Sequence, residues 1–118
     1  MFGGSWQRGY INTLESSMSK YVFDKQKWQN LTIFEQMSNI GSEVGRAFAA
    51  RRRDDTAAMT SAWRRGLDLL DATAEQLARQ KSPKLREVLR ARELFAGMED
   101  ESLEDYFMWF ALAARRGR

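Results

Sequence analysis

From Thr32 onward, apolar residues return at steps of three and four, and the runs that carry them are separated by helix-capping signals. This pattern restricts the fold to packed helices, because a half-buried strand would need strict alternation with a period of two. Thr32 and Glu35 form the T-x-x-E of a capping box, in which the hydroxyl takes an orphan amide and the carboxylate reaches back to the cap amide. Ile33, Met37, Ile40, Val44, Ala47 and Phe48 follow as one apolar stripe. The stripe ends in Arg51, Arg52 and Arg53, cations that suit a helix C-terminus. Asp54 or Asp55 can cap a second helix, whose Met59, Ala62, Trp63, Gly66, Leu67, Leu70, Ala74 and Leu77 continue the period to about Arg79. Ser82 before Pro83 reads as a cap with proline at the first helical position, and Leu85, Val88, Leu89, Arg92 and Phe95 carry a third helix toward Gly97. Ser102, with Asp105 three residues on, opens a fourth through Leu103, Tyr106, Phe107, Phe110, Ala113 and Ala114.

Four amphipathic helices joined by short loops pack most simply as an up-and-down bundle. The expected fold is therefore all-α: an antiparallel four-helix bundle over residues 31–118, with an additional short N-terminal helix or tail over residues 1–30. Gly3, Gly4 and Gly9 lie between aromatic residues and read as a tail that a partner could order. Ile11, Leu14, Met18, Tyr21 and Val22 predict a short helix over about 11–23, and residues 24–30 read as a polar connection around Trp28. Gly41 and Gly45 lie four apart beside the first stripe, each costing about 1 kcal/mol against alanine in a helix interior. Close packing of a neighbouring helix is the expected compensation.

None of the 118 residues is histidine or cysteine, which removes the usual near-neutral acid/base, the thiol nucleophile, the commonest transition-metal ligands and disulfides. Glu35, Glu43, Asp68 and Asp71 could place carboxylates on facing helices, but di-iron bundles complete such sites with Glu-x-x-His pairs that this chain cannot supply. The glycine pair is no phosphate loop either, since residues 39–46 lie inside a helical pattern with no strand before them and no Lys-Ser after. No catalysis, metal or cofactor is expected. The apolar runs fall far short of the roughly 20 residues that cross a bilayer, and residues 1–6 lack a signal peptide's charged and apolar regions. A cytoplasmic location without membrane contact is the expectation.

Charge and aromatic residues point to binding instead. The net charge is only +3, yet Glu99, Asp100, Glu101, Glu104 and Asp105 crowd into seven residues, so the rest of the chain is more basic than that figure. Arg46, Arg51, Arg52 and Arg53 gather toward the end of the first long helix and Arg64 and Arg65 lie on the next, a set whose guanidinium forks suit phosphate oxygens. Arg79, Lys81, Lys84, Arg86, Arg90 and Arg92 run across the following turn, and Arg115, Arg116 and Arg118 make a basic tail. Trp6, Tyr10, Trp28 and Trp109 could stack on unpaired bases where exposed. The alternative is that the arginines cover helix-end carbonyls and keep a bundle soluble. In the last helix Tyr106, Phe107, Met108, Trp109 and Phe110 are consecutive, so apolar groups surround it. The core, the N-terminal segment or another subunit must cover them, which makes Tyr106, Phe107, Trp109 and Phe110 the candidate protein interface.

The segment LTIFEQMSNIGSEVGR at 31–46, with GLDLLDAT at 66–73, KLREVLRARELF at 84–95 and YFMWFALAARR at 106–116, resembles a family of small bacterial all-helical proteins without an assigned activity. That resemblance runs in order over about residues 31–116 and implies an all-helical fold, with no activity to carry over. In size and charge the chain is also similar to the helical accessory proteins of diversity-generating reverse transcriptases and to small helical subunits of CRISPR effector complexes. The function expected is non-catalytic binding and assembly: an accessory subunit of a nucleoprotein complex that meets RNA or DNA through arginines and self-associates or docks protein through its aromatic helix. The alternative is a purely protein-binding adaptor or homo-oligomeric scaffold without nucleic acid.

Overall fold

The capping chemistry sets the element boundaries. In a computed structural model that describes residues 24–116, five helices follow one another: α1 (Lys25–Gln29), α2 (Ile33–Arg52), α3 (Thr56–Arg79), α4 (Leu85–Gly97) and α5 (Leu103–Arg116). The short α1 is held by Asp24, whose carboxylate accepts from the amides of Gln26 and Lys27 at 3.0 and 3.3 Å. Thr32 and Glu35 close the expected capping box on α2 at 3.1 and 2.9 Å. Asp55, not Asp54, caps α3 by accepting from the Ala58 amide at 3.1 Å. Asp54 instead takes the left-handed conformation (φ 58°) that ends α2. The amide of Asp54 bonds the Arg51 carbonyl and that of Asp55 the Ala50 carbonyl, a Schellman ending without its usual glycine. Lys81 (φ 54°) repeats this arrangement after α3, with Lys81 and Ser82 amides on the Ala78 and Leu77 carbonyls.

One predicted start and one predicted cap differ from the structure. α4 begins at Leu85, two residues after Pro83, because the Ser82 hydroxyl accepts the Lys84 amide (3.1 Å) and the Ser82 carbonyl the Leu85 amide (3.2 Å), which closes a turn ahead of the helix. Before α5, Ser102 turns back to Asp100, its hydroxyl and amide both donating to one carboxylate oxygen at 2.6 and 3.0 Å, so Ser102 and Asp105 do not form the expected capping box. These bonds hold the Asp100 carboxyl below its ordinary pKa.

Tertiary packing follows the stripes. Met37, Ile40, Val44, Ala47 and Phe48 of α2 meet Ala62, Leu69, Leu70 and Leu77 of α3, Val88, Ala91 and Phe95 of α4, and Leu103 and Phe107 of α5 in one buried cluster. α2 packs on α3 and α5, α3 packs on α4, and α4 and α5 touch sparingly. Side-chain bonds fasten the packed pairs: Gln36 near the start of α2 bonds Gln76 near the end of α3, Asp71 of α3 pairs with Arg92 of α4, and Arg52 at the end of α2 pairs with Glu104 at the start of α5. Gly66 and Gly41 mark the closest approaches, since a Cβ there would lie 2.6 Å from the Phe95 ring and 2.8 Å from the Phe107 Cβ. Gly45 differs, because a Cβ at that position would find nothing nearer than a Glu104 carboxylate oxygen at 3.9 Å.

The core reaches back before the boundary expected at residue 31. Trp28 is buried, and its indole N–H donates to the Thr73 hydroxyl at 2.9 Å. Thr73 in turn donates to the Gln36 side-chain carbonyl (3.1 Å), and the Gln36 amide donates to the Trp28 carbonyl (2.7 Å) and to Gln76 (3.0 Å). Each buried polar group of this network has a partner, so α1 is fastened to α2 and α3 rather than serving as a loose connection. The helix predicted over about 11–23, together with Trp6, Tyr10 and Arg118, lies outside the described residues.

Candidate nucleic-acid and protein interfaces

The arginines proposed for anion contact divide into two clusters, each organised around carboxylates. At the end of α2, Arg51 lies 4.9 Å from the centre of the Phe48 ring, donates to the Met98 carbonyl, and pairs with Glu101 at 3.1 Å. Its guanidinium thereby satisfies a carbonyl at the buried, left-handed end of α4 (Met98 φ 48°), a fastening between two helix ends. Arg52 reaches Glu101 at 3.3 Å and Glu104 at 3.1 Å, and the hydrogen bond and charge of Glu104 raise its pKa further. Arg53 stands 3.7 Å from Asp55. The acidic segment and the arginine run are thus folded onto each other. Such exposed pairs contribute little to stability, but a phosphate arriving there would compete with resident carboxylates.

The second cluster sits on the α2–α3 seam. Glu43, with its side chain only 12% exposed, lies between Arg46 (3.2 Å) and Arg65 (3.1 Å). The Arg65 guanidinium also donates to the Ser61 hydroxyl at 2.7 Å, and Arg64 is exposed on α3, its charge acting on Asp68. The two clusters bring Arg51 with Arg52, and Arg46 with Arg65, but do not merge all six arginines into one face.

Trp28, offered by its sequence context as a base-stacking group, is withdrawn into the core by its bond to Thr73. On α5 the aromatic run separates by helical phase. Phe107 is 2% exposed against Gly41, so it holds α5 to α2 and presents no surface for a partner. Tyr106 and Phe110 are half-buried around it, with ring centroids 5.1 and 6.4 Å from that of Phe107. Tyr106 also donates its hydroxyl to Glu87 at 2.9 Å, the one side-chain hydrogen bond joining α4 to α5 among the described residues, and burial raises its pKa. Trp109 and Met108 point away, 68% and 56% exposed. Of the proposed interface, Trp109 is the residue that stands free.

The four carboxylates weighed for a metal do not converge. Glu35 is in its capping box, Glu43 lies between two arginines, and Asp71 is gripped by Arg92. Asp68 has its pKa raised by burial and by the neighbouring Asp71. Among the described residues no group of three or more acids, histidines or cysteines could hold a metal ion, and no helix is long and apolar enough to cross a membrane.

The opposite end of the molecule carries a weaker sequence signal. There the start of α2, the α3–α4 turn and the end of α5 meet: the Phe34 and Phe110 ring centroids are 6.2 Å apart, and the Lys84 ammonium lies 5.8 Å from the centre of the Phe34 ring. Phe34, which lies off the apolar stripe of α2, is 41% exposed. No family model, curated protein or solved structure matches this chain.

Proposed function

We propose that this chain is a non-catalytic binding and assembly protein, an accessory subunit of a nucleoprotein complex. It docks a second copy of itself through the outer face of α5 and contacts nucleic acid through its arginines. The observation that carries the assembly reading is the exposure of Trp109 and Met108 side by side on a helix whose other face already fills its place in the core. Large apolar groups held in water are the usual anchors of protein interfaces.

The charge along α5 favours a second copy as the occupant. Acidic residues occupy its first turn and Arg115 and Arg116 its last. Two α5 helices crossing in opposite directions about a point between Met108 and Trp109 set Met108 against Trp109 and bring the acidic first turn of each toward the basic last turn of the other. Such a surface is self-complementary under a twofold axis. The bonds from the start of α2 to the end of α3 and from the end of α2 to the start of α5 also support reading the four longer helices as an up-and-down antiparallel bundle, which leaves the outer side of α5 accessible.

Light scattering on the full chain at micromolar concentrations tests this: a dimeric mass is expected, falling to the monomer in Trp109→Asp with the helical circular dichroism unchanged. A monomeric wild type would overturn self-association. The second reading, a protein-binding adaptor without nucleic acid, draws support from the pairing of Arg51 and Arg52 with Glu101 and Glu104, which occupies the arginines that phosphate would need.

A further inference from the structure

We infer that single-stranded nucleic acid binds the end of the molecule formed by the start of α2, the α3–α4 turn and the end of α5, rather than the Arg51–Arg53 end. The inference rests on the nucleic-acid part of the proposed function and assigns its site. Lys81, Lys84, Arg86, Arg115 and Arg116 are exposed there, and none of them makes an ion pair among the described residues. At the other end of the same helices Arg51, Arg52 and Arg53 each have a carboxylate within 3.7 Å. Folding therefore separates the arginines that the acidic segment neutralises from cations that keep their full field toward solvent, and counterion release on phosphate binding comes from the latter.

A second feature decides the kind of ligand. Phe34 is exposed among these cations, backed by Phe110 and overhung by Lys84. A planar ring beside ammonium and guanidinium groups offers both contacts that an unpaired nucleotide can use, a stacking face for the base and a cation for the phosphate. Paired bases are stacked on each other and cannot use the ring, which favours a single strand. Beyond Phe110, α5 continues for six residues, about 9 Å at 1.5 Å per residue, so Arg115 and Arg116 extend past the ring and can follow a strand that leaves it. An acidic protein surface would use the cations but leave Phe34 without a counterpart.

The experiment uses the full chain and a fluorescein-labelled, unstructured 20-nucleotide RNA, with anisotropy read from 50 to 200 mM salt. The combined variant Lys81→Gln, Lys84→Gln and Arg86→Gln should weaken binding roughly ten-fold or more and lower the slope of log affinity against log salt by about 2, three lost phosphate contacts at about 0.7 each. Phe34→Ala should weaken it by roughly ten-fold with the salt slope unchanged, the signature of lost stacking rather than lost charge. Arg52→Gln with Arg53→Gln should stay within about two-fold of wild type. The same variants are checked for an unchanged thermal midpoint. If the Arg52 and Arg53 variant loses binding and the triple variant keeps it, the assignment of the site is overturned while the nucleic-acid reading stands. If the wild type binds no RNA at 50 mM salt, both fall. Binding to phosphatidylserine vesicles with no binding to RNA would overturn the inference in favour of an anionic lipid surface.

Discussion

Gly41 and Gly45 look alike in the sequence, and exchanging each for alanine should separate them. Both lie inside α2, where alanine is favoured over glycine by about 1 kcal/mol. At Gly45 the new methyl meets nothing closer than 3.9 Å, so most of that gain survives and Gly45→Ala should stabilise the fold by about 0.5–1 kcal/mol. At Gly41 the methyl would sit 2.8 Å from the Phe107 Cβ. That atom is fixed to the α5 backbone, and the Phe107 ring is wedged against those of Tyr106 and Phe110, so no rotamer change relieves the contact. α5 must move away from α2 instead. Overpacking of this kind costs about 1–3 kcal/mol, which leaves Gly41→Ala between neutral and about 2 kcal/mol destabilised after the propensity gain is counted. The two variants should therefore differ by about 0.5–3 kcal/mol, or roughly 2–12 °C in thermal midpoint for a chain of this size. Urea unfolding at 25 °C, followed by circular dichroism with the dependence on urea unchanged between variants, measures the difference directly. Equal shifts, or a more stable Gly41→Ala, would refute the packing argument for α5 on α2.

Two further outcomes follow from buried polar groups. Thr73→Val keeps the shape of the side chain but removes the acceptor of the Trp28 indole and a donor to Gln36, and should cost about 1–3 kcal/mol in urea unfolding. Asp68→Asn should stabilise the fold at pH 7 by less than about 1 kcal/mol, seen as a small rise in thermal midpoint, because the residue is exposed and its charge is screened. Burial lifts the folded carboxyl above the 3.8 of the unfolded chain, so the ionised form is disfavoured in the fold, and this penalty disappears as pH falls through the raised value and then below 3.8. Wild type and variant should then converge near pH 3.

Most of the helix boundaries could be read from the sequence because capping and periodicity are interactions within a few residues. Thr32 with Glu35 and the stripe from Met37 to Phe48 state their structure locally, and the structure follows them. Ser82 and Ser102 show the limit of that reading: a hydroxyl has several amides and carboxylates within reach, and the competition between Lys84, Asp100 and the expected partners is settled by the turn in which each serine sits. Of the candidate site, the cationic residues and the aromatic run were visible, but not which of them would be occupied. Arg51 and Glu101 are fifty residues apart, and no local signal indicates that they meet. Phe107 and Trp109, two residues apart in the same apolar run, end on opposite sides of the core boundary because a helix turns about 200° between them.

The sequence by itself determined an all-helical chain with its caps, apolar faces and absence of histidine and cysteine, since each is a matter of residue type and near-neighbour spacing. Only the tertiary structure decided that Trp28 belongs to the core, that Gly41 is crowded and Gly45 is not, and that the acidic segment pairs with Arg51 and Arg52 at one end while the cations at the other make no ion pair among the described residues. Those outcomes depend on distances between residues remote in the chain, which exist only once the helices have packed.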